Sequence, residues 1–210
     1  MKHISKYSAS ELERLGVFPS ITETYNWIKS NPEDQRGKDS IQWIAHYMEV
    51  LYSYAKKCEH VTEMGINQVN STWAFLAAQP KKVVSIDLDL YNRPTKNTSH
   101  KGVNIWLQSA QELAAESGIE FEALEADTSK ICIEETDLLF IDTEHSFECL
   151  TTELELHGNK AGKYIILHDT TLYSLELQPA IKNFKQSNPH WEVELEFKDK
   201  PGLTILKRIK

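Results

Sequence analysis

The sequence predicts an α/β fold: a Rossmann-like, mostly parallel sheet with helices on both faces and an antiparallel hairpin at the carboxyl end. Three observations carry this. Five short apolar runs, HVTEM, KKVVSID, IEFEALEAD, TDLLFID and KYIILHD, are separated by segments long enough to hold helices; strands and helices in alternation build a parallel sheet through crossovers. Each run ends on or beside an acid. The last stretch changes rhythm, because HWEVELEF alternates apolar and acidic residues and GLTILKRI follows across the turn-forming cluster KDKPG, which reads as a closing hairpin.

Residues 1–40 are expected to form an amino-terminal helical cap or lid. SASELERLG and SITETYNWIKS suit short helices, and NPEDQRGKDS suits a polar linker. The main domain is expected over 41–210. It opens with Ile41, Ile44, Ala45, Met48, Leu51, Tyr52 and Ala55 at helical spacing, one apolar stripe that must pack on something. HVTEM follows as the first strand. STWAFLAAQP then reads as a helix capped by Ser71 or Thr72 and stopped before Pro80, and NIWLQSAQELAAESG as one stopped at Gly118. Connections of this length suit right-handed crossovers. Trp73 and Trp106 fall within these helices and read as core packing. The acidic residues of WEVELEF read as the solvated face of an edge strand.

Composition narrows the function classes. With 210 residues and 40% hydrophobic content the chain can bury a real core. A formal net charge of -8 disfavours a phosphate-tracking face, so nucleic acid is not an expected partner. The sequence has no apolar run of the roughly 18 residues that a membrane span needs, and MKHISKYSASELERLG lacks the apolar centre of a signal peptide. The expectation is a cytoplasmic protein. Cys58, Cys132 and Cys149 match neither a disulfide framework nor metal-binding CxxC spacing.

In an open parallel sheet, ligands bind beyond the carboxyl ends of the strands. Read in order, those ends supply Glu63 and Gly65, then Asp87, Asp127 with Thr128, Asp142 with His145, and His168 with Asp169, Thr170 and Thr171. Gly65 permits a tight bend near a ligand. Asp87 follows the glycine turn by about 20 residues, where an acid can accept hydrogen bonds from ribose hydroxyls. Any one of these acids could simply cap the next helix. His3, His46, His60, His100, His157 and His190 are assigned no role, whereas His145 and His168 stand beside acids.

On these residues the chain, over roughly 41–210, resembles the class I S-adenosylmethionine-dependent methyltransferases. Within them it resembles the metal-dependent O-methyltransferases of the macrolide sugar, cephalosporin-pathway and catechol types. The family's seven strands with an antiparallel carboxyl-terminal pair match the five runs plus hairpin. EMGINQVNST resembles the first cofactor motif, so the resemblance implies that Glu63 and Gly65 line the methionine end of S-adenosylmethionine. It further implies Asp87 at the ribose and Asp127 at the adenine amino group, with Asn67, Ser71, Thr128 and Asp142 completing the cofactor-binding set. The chain departs from the pattern at Val69, where a glycine is usual, and at Asn67, where many members have another.

FIDTEH and ILHDTT resemble the family's two acidic metal-binding corners, which implies a divalent ion on Asp142, His168 and Asp169. Because His168 stands where relatives have an acid, two sites remain open. One is a magnesium site of two carboxylates completed by Thr170 or water; the other is a softer ion such as manganese or iron. His145 takes the position of the general base. The implied partner is a small hydroxylated acceptor, a sugar or other diol, covered by residues 1–40 and by the loop YNRPTKNTSHKG; a homo-oligomer is left open. Two other readings stand beside this one: a nicotinamide-dependent oxidoreductase, which the lack of G-x-G-x-x-G and the terminal hairpin disfavour, and a non-catalytic protein that retains the fold.

Overall fold

A computed structural model describes residues 16–31, 44–90 and 105–209. Its strands are β1 (His60–Met64), β2 (Lys82–Asp87), β3 (Glu120–Glu125), β4 (Thr136–Ile141), β5 (Ala161–His168), β6 (Trp191–Phe197) and β7 (Leu203–Arg208). They form one sheet in the order β3-β2-β1-β4-β5-β7-β6. The first five run parallel, and β7 is antiparallel to both β5 and β6. All seven expected strands and the closing hairpin are present. The direction of winding reverses between β1 and β4, and such a switch point opens a crevice at the strand ends.

Alternation along the strands divides the core into two layers. Leu138 and Phe140 of β4 face one side with Val61, Val83, Ile166 and Ile205. Leu139 and Ile141 face the other with Met64, Ile86, Ile165, Leu167 and Leu206. The first layer is covered by helices α1 (Ile21–Ser30), α2 (Met48–Ala55), α3 (Asn70–Ala77) and α4 (Ile105–Glu116), and the second by α5 (Phe147–His157) and α6 (Ser174–Ser187). Trp73 and Trp106 are buried in the first layer, as their helical positions predict. β6 lies at the sheet edge with Glu192, Glu194 and Glu196 exposed, as read from the sequence; Val193 and Leu195 are exposed too, which the alternation does not predict.

The amino-terminal stretch SITETYNWIKS forms α1. Ser20 accepts the Glu23 backbone N–H at 3.2 Å while its hydroxyl donates back to the Glu23 carboxylate at 2.9 Å, so both ends of the capping pair are satisfied. Ile21, Tyr25 and Ile28 of this helix are buried in the same core layer as α2 and α3. SASELERLG up to residue 15, Ile41 and the loop YNRPTKNTSHKG lie outside the described residues. The helix expected from Ile41 is regular from Met48, after a helical turn containing Ile44 and Ala45.

One cap differs from expectation. α3 begins at Asn70, and its N-cap is Val69, in the left-handed region at φ 65° with no side-chain cap bond. Ser71 and Thr72 do not cap it, because the buried Glu63 carboxylate on the adjacent strand takes both hydroxyls.

Candidate functional site

Just beyond the switch point lies a cavity of about 650 Å³, within the range of small-molecule and cofactor sites. Its wall includes Gly65 and Asn67 after β1, Asp87 at the end of β2, Asp127 and Thr128 after β3, Asp142 and His145 after β4, and His168 with Asp169 at the end of β5. Nine of the candidate residues therefore gather on one rim although 104 positions separate Gly65 from Asp169. Two do not reach it. Glu63 and Ser71 lie behind the wall, bonded to each other.

Glu63 sits mid-sheet, opposite Ser85 of β2 and Phe140 of β4. Its Oε2 accepts from the Thr72 and Ser85 hydroxyls, each at 2.6 Å, and its Oε1 accepts from Ser71. Burial pushes the Glu63 carboxyl up to about 7, against the pull of these three hydroxyls. Asp87 faces the cavity, yet its Oδ2 already accepts the backbone N–H groups of Ile66 at 2.8 Å and Asn67 at 3.1 Å, while Oδ1 accepts that of Asp89 at 3.2 Å. The acid thus shapes the β1–α3 turn. Asp127 is held by Lys130 at 2.6 Å and by the Ser129 hydroxyl and N–H, which lower it to about 2.

The β1–α3 turn is tightly wound: Gly65, Asn67 and Val69 all have positive φ, at 87°, 45° and 65°. A Cβ on Gly65 would stand 2.0 Å from the Asp142 carbonyl oxygen, so only glycine fits there. The two positions at which the sequence departs from the family pattern are thus left-handed ones. Side chains tolerate this poorly, a β-branched one least of all.

At the β4 and β5 ends, two carboxylates face two imidazoles. His145 Nε2 lies 2.9 Å from Asp169 Oδ2 and 3.3 Å from Asp142 Oδ1, and the ring stacks on Tyr173 with centroids 4.4 Å apart and planes at 12°. His168 is only 4% exposed. Its Nδ1 lies 3.3 Å from Asp142 Oδ1 and 3.5 Å from Asp169 Oδ2, and the ring meets Tyr47 edge-on at 5.7 Å. Burial opposes the charged form of both imidazoles, but the two acids outweigh it and raise His145 to about 9 and His168 to about 10. Burial likewise opposes ionisation of Asp142 and Asp169; the histidines overcome it and hold both below the usual carboxylate range.

Asp142, His168 and Asp169 each place a donor atom within 4.8 Å of the others. Nδ1 of the buried His168 meets the two carboxylates only at ion-pair distance, and neither ring nitrogen makes a hydrogen bond of good geometry; such a buried group has bonding capacity that a ligand would satisfy. The donor set fits a divalent cation. Thr170, the alternative ligand, is buried with its hydroxyl accepting from Thr204 at 2.9 Å and does not line the cavity.

Three side chains at the site were not singled out from sequence. Glu153 and His157 of α5 are fully buried and bond the turns after β3 and β4, and Tyr173 supports His145. A signal for the first two exists: Leu150, Glu153, Leu154 and His157 recur at helical spacing, which places an acid and an imidazole on the inward face.

Neither a family model nor a curated protein matches the sequence. Solved structures do match in shape. The cofactor-bound Rv0187 from MTB superposes with a TM-score of 0.58 at 14% identity, over 90% of this chain and 89% of that one. The O-methyltransferase TomG from Streptomyces achromogenes, solved in complex with SAM, gives 0.56 at 13% identity over 92% and 91%. A methyltransferase from Geobacter sulfurreducens gives 0.54 at 14% over 97% and 98%. The chain has the class I methyltransferase fold.

Proposed function

We propose that this protein is an S-adenosylmethionine-dependent methyltransferase acting on a hydroxyl of a small acceptor, a sugar or other diol, with a divalent cation at the reacting end. The observation that supports it most is the convergence of Gly65, Asp87, Asp127, Asp142, His145, His168 and Asp169 on one cavity at the switch point. Similarity in fold to an O-methyltransferase solved in complex with SAM supports the same reading.

The reacting methyl of a sulfonium is already activated, so the chain must mainly align the acceptor and remove its proton. A divalent cation on Asp142, His168 and Asp169 would neutralise the two carboxylates and lower the pKa of an acceptor hydroxyl. An imidazole among the donors favours manganese or iron over magnesium. His145, between Asp142 and Asp169, is placed to receive the acceptor proton. With both acids bare it is already protonated at neutral pH, so it accepts a proton only once those acids are otherwise engaged. Tyr173 keeps the ring in plane.

The test is calorimetry with S-adenosylhomocysteine, then turnover of vicinal diols with manganese or magnesium. Binding of the nucleoside and cation-dependent transfer are expected, and stabilisation by NAD alone would overturn the proposal. One observation favours a second reading, a non-catalytic binding or scaffold protein that keeps the fold without the cofactor: the Asp87 carboxylate already accepts three backbone N–H groups. A scaffold of that kind gives no heat with S-adenosylmethionine.

A further inference from the structure

We propose that Glu153 is a positioning residue: it ties the turn after β3 to the turn after β4 and so sets the affinity for the nucleoside cofactor, which rests on the cofactor reading above. Glu153 lies on α5 among Leu150, Leu154 and His157, all buried. An acid on an apolar helix face costs desolvation unless its oxygens are satisfied. Among the described residues no ion pair reaches it. Its Oε1 instead accepts from the Thr128 hydroxyl at 2.5 Å, and its Oε2 from the Thr143 hydroxyl at 2.7 Å.

These hydroxyls belong to different turns. Thr128 follows Asp127 and Thr143 follows Asp142, and all four residues line the cavity. One turn further along α5, the buried His157 donates its Nε2 proton to the Thr128 carbonyl at 2.7 Å. The helix therefore grips the β3 turn through both side chain and backbone. The β4 turn is held by Glu153 and also by Cys149, which bonds Thr143 and the Glu144 backbone; of these side chains Glu153 reaches both turns, so one carboxylate spans the gap between the residues expected at the adenine and those at the reacting centre. Packing by itself would not need this acid, since leucine fills such a face without desolvation. What leucine cannot do is accept two hydroxyl protons whose owners must keep a fixed spacing.

The test compares Glu153→Leu, Glu153→Gln and the Thr128→Val/Thr143→Val pair. S-adenosylhomocysteine binding by calorimetry should weaken about tenfold or more in Glu153→Leu, the size expected for losing hydrogen bonds to a charged group. Glu153→Gln should stay near wild type, because its carbonyl still accepts and its amide can donate to a rotated hydroxyl. Amide hydrogen exchange of the ligand-free protein should quicken in residues 127–130 and 142–145 of the leucine variant, and not in α6. Should Glu153→Leu not fold, the paired valine variant must show the same weakening and the same faster exchange. Unchanged affinity and exchange in a folded leucine or paired-valine variant overturn the proposal. If the wild-type chain binds no S-adenosylhomocysteine, the cofactor reading fails instead, and exchange in the two turns still decides whether Glu153 ties them.

Discussion

The two halves of the cavity bury acids in opposite ways. On the β1 and β2 side, Glu63 is surrounded by neutral hydroxyls from Ser71, Thr72 and Ser85, and the Asp87 carboxylate is turned to backbone N–H groups. On the β4 and β5 side, Asp142 and Asp169 are balanced by His145 and His168. The first half is a fixed frame whose bonds are made before any ligand arrives. The second is a balance of charges that an added cation, or a removed proton, reorganises. Under the function proposed above, the first half would be a preformed seat for a cofactor and the second an adjustable reacting centre.

The halves meet at Gly65, and the largest effect is expected there. Gly65→Ala would place a methyl 2.0 Å from the Asp142 carbonyl oxygen at a φ of 87°, and both that carbonyl and the Cα carrying the methyl belong to backbone at adjacent strand ends. Neither can move without disturbing β1 or β4. The variant should lose at least about 4 kcal/mol or fail to fold, which thermal unfolding with circular dichroism reads directly. A near-native melting temperature would show that the two halves are not rigidly joined.

Next comes His145→Ala, which touches only the charged half. Methyl transfer should fall by about 10²- to 10⁴-fold, the usual contribution of a general base, while S-adenosylhomocysteine binding by calorimetry stays unchanged. Retained turnover would remove His145 from the chemistry. Tyr173→Ala, which removes only the ring stacked on His145, should act in the same direction but more weakly.

The central strands read well from the sequence because they are buried on both faces: LLFI of β4 and YIIL of β5 stand out as apolar runs bounded by polar residues, whereas HVTEM, equally buried, carries Thr62 and Glu63 inside it. The acids at their ends were legible for the same reason: a strand's carboxyl end in a parallel sheet is where a site must be. Partners across the fold were not legible. Ser71 and Thr72 look locally like helix caps, and nothing nearby shows that a strand-borne Glu63 will claim their hydroxyls. Glu153 reaches Thr128 across 25 positions of sequence, a pairing that no local periodicity encodes. Asp87 was legible as an acid in the right place, but its engagement with Ile66 and Asn67 depends on the path of a turn 20 residues earlier.

The contrast between the halves also predicts a pH dependence. Glu63 is raised by burial from 4.5 to about 7, so between those values the folded protein holds a proton that the unfolded chain has released. Its contribution is fully present below pH 4.5 and lost as pH rises through 7, a fall on the order of 3 kcal/mol. Glu63→Gln should flatten that slope in chemical denaturation measured from pH 4.5 to 7. His145, raised by its acids from 6.5 to about 9, loses its share at higher pH, as pH passes 9, and this later fall should survive in Glu63→Gln. A slope unchanged by the substitution would mean that the frame side carries no proton of its own.

The smallest effect is the most discriminating for the strained turn. Val69 has a left-handed backbone, φ 65° and ψ 16°, which costs a side-chain-bearing residue about 1–2 kcal/mol. It is also fully buried in the first core layer, and burying a valine side chain contributes about 1.5 kcal/mol or somewhat more. Val69→Gly removes both terms together and should change stability by no more than about 1 kcal/mol. Val69→Ala keeps the strain, since a Cβ remains, but gives up two buried methyl groups, and should cost about 1–2 kcal/mol. At an ordinary buried position glycine is the worse replacement; here the order should reverse. Urea denaturation of the two variants checks this, and alanine proving the milder change would mean that the turn relaxes out of the left-handed region rather than being held there by the packing of Val69.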